Sequence, residues 1–213
     1  DDQREHANHD KQQRARIIDS GGLTVALPGP STGAGAFAAT LLETLSRLSA
    51  SQGASALAVR QTLAHFGVTN LPRDLGATGF AAVDARGQAA ACAVTLNGPF
   101  GSGHSATGTG VVLAASPTGP AGLASAFPTP MIASNTDGVV LAGAGAGGPY
   151  GTAAIADALL KAARGRAVER PRDLGSTGAA PYDTVNAISC QSGVCLALPD
   201  PGAHGQGAAP DPG

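Results

Sequence analysis

The chain has 213 residues, an apolar fraction of 43% and a formal net charge of −2 at pH 7. This length is enough for one or at most two domains. The near-neutral charge excludes nucleic acid and anionic membranes as electrostatic partners, and no apolar run reaches the roughly 18 residues of a membrane span. Aromatic residues make up only 3% of the chain. The core must therefore consist mostly of small side chains, each of which buries little apolar area. It needs tight packing or a surface shared with a protein partner or a second copy.

Composition divides the chain into three parts. Residues 1–21 form a polar arm, residues 22–198 carry the periodic apolar patterns of one domain, and residues 199–213 form a tail rich in proline and glycine. Cys190 and Cys195 flank Gln-Ser-Gly-Val, a spacing that a turn can bridge as a disulfide. No histidine stands at ligand spacing from either cysteine, so we expect no metal site there.

Hydrophobic periodicity predicts a strand, two helices, a run of strands, a third helix and a last strand. The predicted helices are Ala36–Leu48, Ala54–Phe66 and Gly151–Ala163. The predicted strands are Leu23–Leu27, Phe80–Val83, Ala89–Leu96, Gly110–Ala115, Met131–Ser134, Val139–Ala142 and Thr184–Ser189, with a glycine-rich loop at Gly143–Gly148. This order is typical of a layered α+β sandwich, in which we expect the strands at Phe80 and Ala89 to pair antiparallel at the centre of a sheet.

Several short motifs follow one another in a fixed order. Thr78 precedes the strand at Phe80, and Thr95 and Asn97 end the partner strand on one face. The other motifs are Ala26-Leu-Pro-Gly-Pro-Ser-Thr-Gly-Ala-Gly35, Phe100-Gly-Ser-Gly103, Phe127-Pro-Thr-Pro-Met-Ile132 and Gly145-Ala-Gly-Gly148. In this order, over roughly residues 22–163, the sequence resembles the γ-glutamyltransferases, a family of N-terminal-nucleophile hydrolases.

The resemblance implies an αββα sandwich that cleaves itself and transfers γ-glutamyl groups from small-molecule amides without a cofactor. It makes Thr78 the candidate nucleophile, because the α-amine freed by cleavage has a pKa of about 7.7–8.0 and can take the hydroxyl proton. The backbone N–H groups of Gly147 and Gly148 can stabilise an oxyanion, and Thr95 and Asn97 can line the same pocket. The plainer interpretation of Thr95 and Asn97 is a strand end and a turn. The family also favours a periplasmic or secreted location.

The sequence departs from the family at the site itself. When Phe80 is placed on the family pattern, Ala77 takes the position of the nucleophile and Gly79 replaces a histidine. Paired serines of the family fall on Ala126 and Phe127, which have no side-chain donor. These departures favour a second hypothesis, in which the chain is a catalytically inactive relative that serves as a structural or interaction subunit.

Three further candidates are weaker. Pro171–Gly178 nearly repeats Pro72–Gly79, which makes Thr177 a rival nucleophile. Ser102 and His104 suggest a catalytic pair, but near neighbours in a flexible loop rarely hold such geometry. The glycines that open the last helix suggest a phosphate site, although the lysine of a phosphate-binding loop is absent from them.

Overall fold

The fold described below is that of a computed structural model of the chain. The structure describes residues 15–29, 33–48, 53–68, 76–116, 127–168, 184–200 and 205–208. Thr177, Ala126 and the repeat at Pro171–Gly178 lie outside these described residues. No helix within the described ranges is long and apolar enough to cross a membrane.

Three helices and eight strands make up the described fold. The helices are α1 (Gly33–Arg47), α2 (Ala54–His65) and α3 (Pro149–Ala163). The strands are β1 (Arg16–Ser20), β2 (Leu23–Leu27), β3 (Ala77–Val83), β4 (Ala89–Thr95), β5 (Thr129–Asn135), β6 (Gly138–Ala146), β7 (Thr184–Gln191) and β8 (Val194–Leu198). The α+β class expected from the sequence is therefore confirmed.

The strands form two antiparallel sheets. The large sheet has the order β1-β2-β5-β6-β7-β8, and β3 and β4 form a separate two-stranded sheet, called the ribbon below. The helices pack on one face of the large sheet. The ribbon lies on the other face, with β3 over β6 and β7 and β4 over β5 and β6. The described residues thus build a helical layer followed by two β layers.

The main core lies between the helices and the large sheet. In β2 the alternation of side chains buries Leu23, Val25 and Leu27 on the helical side, as a half-buried strand requires. From α1, Phe37 enters this core and meets Phe127 edge to face, with ring centroids 5.7 Å apart. Most other core residues are alanine, valine and leucine, so close approach of the backbones replaces bulky packing.

Strand β6 is the place where this close approach is greatest. On its helical face, Gly143 and Gly145 leave room for α3: a Cβ at Gly143 would lie 2.6 Å from Ile155 Cδ1, and one at Gly145 would overlap the Gly151 carbonyl. On its other face, a Cβ at Gly79 would lie 2.6 Å from the Cβ of Ala144. Small residues on both faces of one strand therefore bring three layers together.

Several predicted boundaries differ from the observed ones. The predicted loop at Gly143–Gly148 is wrong for its first four residues, because β6 runs through Gly143 to Ala146 between two packed layers. The predicted strand Gly110–Ala115 is wrong too: a single bridge joins Ser105 and Val112 there. Strand β8 was not anticipated, and β1 begins inside the segment predicted as a polar arm.

The strands at Phe80 and Ala89 pair antiparallel as expected, over seven continuous residue pairs from Ala77↔Thr95 to Val83↔Ala89. They do not stand at the centre of a sheet within the described chain, because neither strand pairs with a strand other than its partner. The hairpin turn was correctly predicted at Asp84–Gly87, where Gly87 adopts φ 77°. The ribbon therefore contacts the large sheet through its inner face, and no strand of the large sheet pairs with it within the described chain.

A disulfide joins Cys190 of β7 to Cys195 of β8, and these two residues are also partners in the strand register. The spacing correctly indicated this bond. Cys92, on β4, is half-buried and carries a free thiol.

The close approach at β6 predicts a severe effect of adding one methyl group. We expect Gly145→Ala to lower the free energy of unfolding by about 3 kcal/mol or more, because the new Cβ meets backbone atoms of α3 that cannot rotate away. Chemical unfolding would measure it. The matched control is Gly22→Ala, which has open space but a φ of 82°, so it should cost about 1 kcal/mol from backbone strain alone. Equal costs for the two variants would contradict the steric account.

The disulfide closes a short loop, so its stabilisation should be modest. Replacing Cys190 and Cys195 together by serine should lower the unfolding free energy by about 2 kcal/mol, the loop-closure value for so few residues. The control, Cys92→Ser, leaves the bridge intact. After oxidative refolding, the denatured protein should show one reactive thiol, and three would contradict the bridge.

Candidate functional site

The candidate site lies where the ribbon faces the large sheet. Gly79 is buried against Ala144 of β6, so the face of β3 that carries Gly79 looks toward the large sheet. Alternation along the strand puts Ala77 on this inner face, and its cross-strand partner Thr95 shares that face. The inner face therefore begins with an alanine opposite a threonine.

Thr78 lies on the opposite, outer face of the ribbon and is exposed. Its partner there is Val94, and the next residue along that face of β3 is Phe80. Val94 is 47% exposed and Phe80 is 56% exposed, which confirms that this face is uncovered within the described chain. Thr78 and Thr95 are thus close in the ladder but point to opposite sides of the ribbon.

Asn97 and Thr95 shape the turn that follows β4. The Thr95 hydroxyl accepts a hydrogen bond from the backbone N–H of Asn97 at 2.9 Å. Asn97 adopts φ 54°, a left-handed conformation that asparagine tolerates, and its Nδ2 donates to the carbonyl of Ala115 at 2.9 Å. These bonds account for both residues as the end of a strand and the start of a turn.

Gly147 and Gly148 connect β6 to α3 and are buried. Gly147 has φ 88°, a conformation that glycine adopts without strain, and Gly148 is the N-cap residue with no side-chain cap hydrogen bond. The first N–H groups of a helix carry partial positive charge, so this turn has the electrostatics of an anion site. It follows β6, which contacts the inner face of the ribbon, the face of Ala77 and Thr95 rather than of Thr78.

A buried hydroxyl pair fixes the first turn of α3. Thr129 Oγ1 and Thr152 Oγ1 lie 2.9 Å apart, and both contact the carbonyl oxygen of Phe127, at 3.0 Å and 3.3 Å respectively. These hydroxyls satisfy one another inside the core. They position the Gly147–Gly148 turn relative to β5.

Asn186 is the residue in this region that sequence reasoning missed. Its Nδ2 donates to the carbonyl of Gly79 at 2.8 Å, and its Oδ1 accepts the N–H of Asp200 at 2.8 Å. The carboxylate of Asp200 in turn accepts the N–H of Val185 at 2.9 Å. Asn186 thereby joins the ribbon, β7 and the segment after β8. An asparagine inside the apolar pattern of β7 was the available signal.

The structure gives no support to a catalytic pair of Ser102 and His104. Ser102 Oγ lies 3.3 Å from the backbone nitrogen of His104, which donates to it, and 3.2 Å from the carbonyl of Leu113, to which it donates. These are loop bonds to the backbone rather than a hydroxyl–imidazole pair. Within the described ranges, no group of three or more histidine, cysteine, aspartate or glutamate side chains is placed to hold a metal ion.

Comparisons with known proteins give structural likeness only. No family model matches the chain, and no curated protein matches it either. Among solved structures, it is similar to γ-glutamyltranspeptidase from Pseudomonas nitroreducens complexed with L-DON, with 19% identity, a TM-score of 0.43, and coverage of 62% of this chain and 98% of that one. A highly active mutant of the same enzyme gives 19% identity, a TM-score of 0.44, and coverage of 63% and 100%. Likeness at this level says nothing about chemistry.

The two hydrogen bonds of Asn186 should be essential for holding the ribbon. We expect Asn186→Ala to lower the unfolding free energy by about 1–3 kcal/mol, because the part-buried Gly79 carbonyl and Asp200 N–H each lose a hydrogen bond. Amide hydrogen exchange should also accelerate in β3 and β4 before the large sheet is affected. The control is Asn135→Ala, which removes only a hydrogen bond within an exposed turn. Unchanged exchange in the ribbon would rule out the anchoring role of Asn186.

Proposed function

We propose that the chain is a non-catalytic binding or structural protein built on a fold that resembles the γ-glutamyltransferases. The observation that supports this is the orientation of β3: Thr78 lies on the exposed outer face, and the inner face begins with Ala77. A nucleophile must point into the pocket that holds the oxyanion donors. Alanine has no hydroxyl to offer at that position.

The peptide bond between Ala77 and Thr78 also lies in regular, paired strand. Leu96 N–H donates to the Gly76 carbonyl at 3.1 Å, which makes Gly76 and Leu96 a hydrogen-bonded pair. Such pairs alternate along an antiparallel ladder, so Thr78 and Val94 form the next one. Both flanks of the bond are thus held in the ladder, whereas self-cleavage needs a sharp turn in which a hydroxyl reaches the preceding carbonyl.

The active alternative requires β3 to slip by one residue. In that arrangement Thr78 is the nucleophile, Gly147 and Gly148 stabilise the oxyanion, and Thr95 and Asn97 line the pocket for a γ-glutamyl amide. The helix start at Gly148, which has no side-chain cap hydrogen bond, favours it. A slip of one residue, however, turns every side chain to the other face. It would press Thr78 or Phe80 against β6 at the place where Gly79 leaves no room for even a Cβ.

Intact mass of the denatured, freshly purified chain tests the proposal directly. We expect a single uncut mass for the wild type and the same for Thr78→Ala, apart from the substituted side chain. We also expect no release of anilide from a chromogenic γ-glutamyl anilide by either protein. Two fragments that meet between Ala77 and Thr78 in the wild type, and an uncut Thr78→Ala, would establish the active alternative instead.

A further inference from the structure

The edge of β4 opposite β3 carries backbone groups that point away from the ribbon. Asp84 N–H donates to the carbonyl of Gln88 at 2.9 Å, which fixes a hydrogen-bonded pair at the turn end of the ladder, as Leu96 does at the other end. Hydrogen-bonded and non-hydrogen-bonded pairs alternate in an antiparallel ladder. Ala91, which pairs with Ala81, is therefore in a non-hydrogen-bonded pair, and its N–H and C=O point outward.

The same alternation applies to the neighbouring positions. Ala89 and Ala93 also turn their N–H and C=O groups to the outer edge, and no described residue pairs with these groups or with those of Ala91. Each of the three residues thus offers one donor and one acceptor at the regular spacing of a strand. On the β3 edge, by contrast, the side chain of Asn186 already donates a hydrogen bond to the outward carbonyl of Gly79.

Within the part of the chain that the structure describes, this edge has none of the features that normally protect an edge strand. Strand β4 reads Ala-Ala-Ala-Cys-Ala-Val-Thr, with no charged residue and no proline. Its register with β3 is continuous over seven pairs, with no bulge. Natural proteins usually block such an edge with lysine, proline or a bulge, because it otherwise pairs with another strand. A two-stranded sheet is also below the size that is stable by itself.

An apolar surface of the large sheet continues beyond this edge. Because β4 lies over β5 and β6, its outer edge looks toward β2 and β1. There Ile132 of β5, Ala26 of β2 and Ile17 of β1 are register partners in one row, on the sheet face that bears the ribbon. Ile17 is 60% exposed, and Ala26 and Ile132 are partly exposed. We call the β4 edge and this row together the shelf.

We propose that the shelf binds an extended peptide strand of a partner protein that has apolar side chains at alternate positions. The outward groups of Ala89, Ala91 and Ala93 would pair with the backbone of that strand, and its apolar side chains would pack on Ile17, Ala26 and Ile132. Strand addition of this kind takes its affinity from the main chain and its selectivity from alternate side chains. The inference rests on the proposed binding role and specifies the partner.

A second copy of the chain fits this place poorly. Antiparallel pairing of β4 with its own copy needs a two-fold axis perpendicular to the ribbon, which keeps both large sheets on the same side. The β2 and β1 strands of each copy would then occupy the space of the other copy's large sheet. A single strand has no such layer and fits beside β4.

The experiment uses the full chain labelled with ¹⁵N and a soluble probe peptide of alternating valine and threonine flanked by lysines. We expect titration to shift the amide signals of Ala89, Ala91 and Ala93 and to slow their hydrogen exchange. Ala91→Pro removes one outward N–H without breaking a bond to β3, so it should weaken binding about tenfold. The matched control is Ala81→Pro, which changes the same kind of position on the opposite edge and should leave binding unchanged.

Ile17→Asp tests the apolar row of the shelf. It should also weaken binding, because a charge would face the apolar side chains of the peptide. Absence of shifts up to about 1 mM peptide, or equal weakening by Ala81→Pro and Ala91→Pro, overturns the proposal. Shifts at the same amides that grow with protein concentration alone overturn it in favour of a second copy. Self-cleavage is measured separately by mass, so failure of strand binding is distinguishable from failure of the non-catalytic function.

Discussion

The close contact of backbones on both sides of β6 is the constraint on which the rest of the fold depends. On one side the carbonyl of Gly151 sits where a side chain of Gly145 would be, and on the other Gly79 rests on Ala144. In a chain with few aromatic residues, such contacts replace the area that large side chains would bury. The helical layer, the large sheet and the ribbon are therefore held together by glycine and alanine residues, whose small side chains let the backbones approach closely.

This constraint also fixes which way β3 faces. Because a glycine alone fits against Ala144, the face of β3 with Gly79 must be the inner one. Strand alternation then sends Thr78 outward and Thr95 inward, and no local adjustment reverses that. The Thr78 hydroxyl therefore lies on the side of the ribbon that faces away from β6 and from the Gly147–Gly148 turn that follows it. The packing requirement of one glycine is thus the observation that supports the proposed loss of catalysis.

The ribbon is held to the large sheet by a side-chain hydrogen bond as well as by packing. Asn186 links the Gly79 carbonyl to the backbone of Asp200, so the ribbon, β7 and the segment after β8 share one network. The same asparagine covers part of the β3 edge, whereas the β4 edge and the outer face with Phe80 are uncovered within the described chain. The two edges of the ribbon therefore differ within the described chain, and the proposed strand addition rests on this difference.

Features that depend on residues near one another along the chain could be predicted from local patterns. Alternation gave the bounds of β2 at Leu23–Leu27, the glycine at Gly87 marked the hairpin turn, and the spacing of Cys190 and Cys195 indicated their bond. Features that depend on contacts between distant segments could not be predicted in this way. Gly143–Ala146 reads locally as a loop but is strand, because α3 and the ribbon leave room only for small residues there. Likewise, alternation gives a strand two faces, and only packing between distant segments selects the inner one.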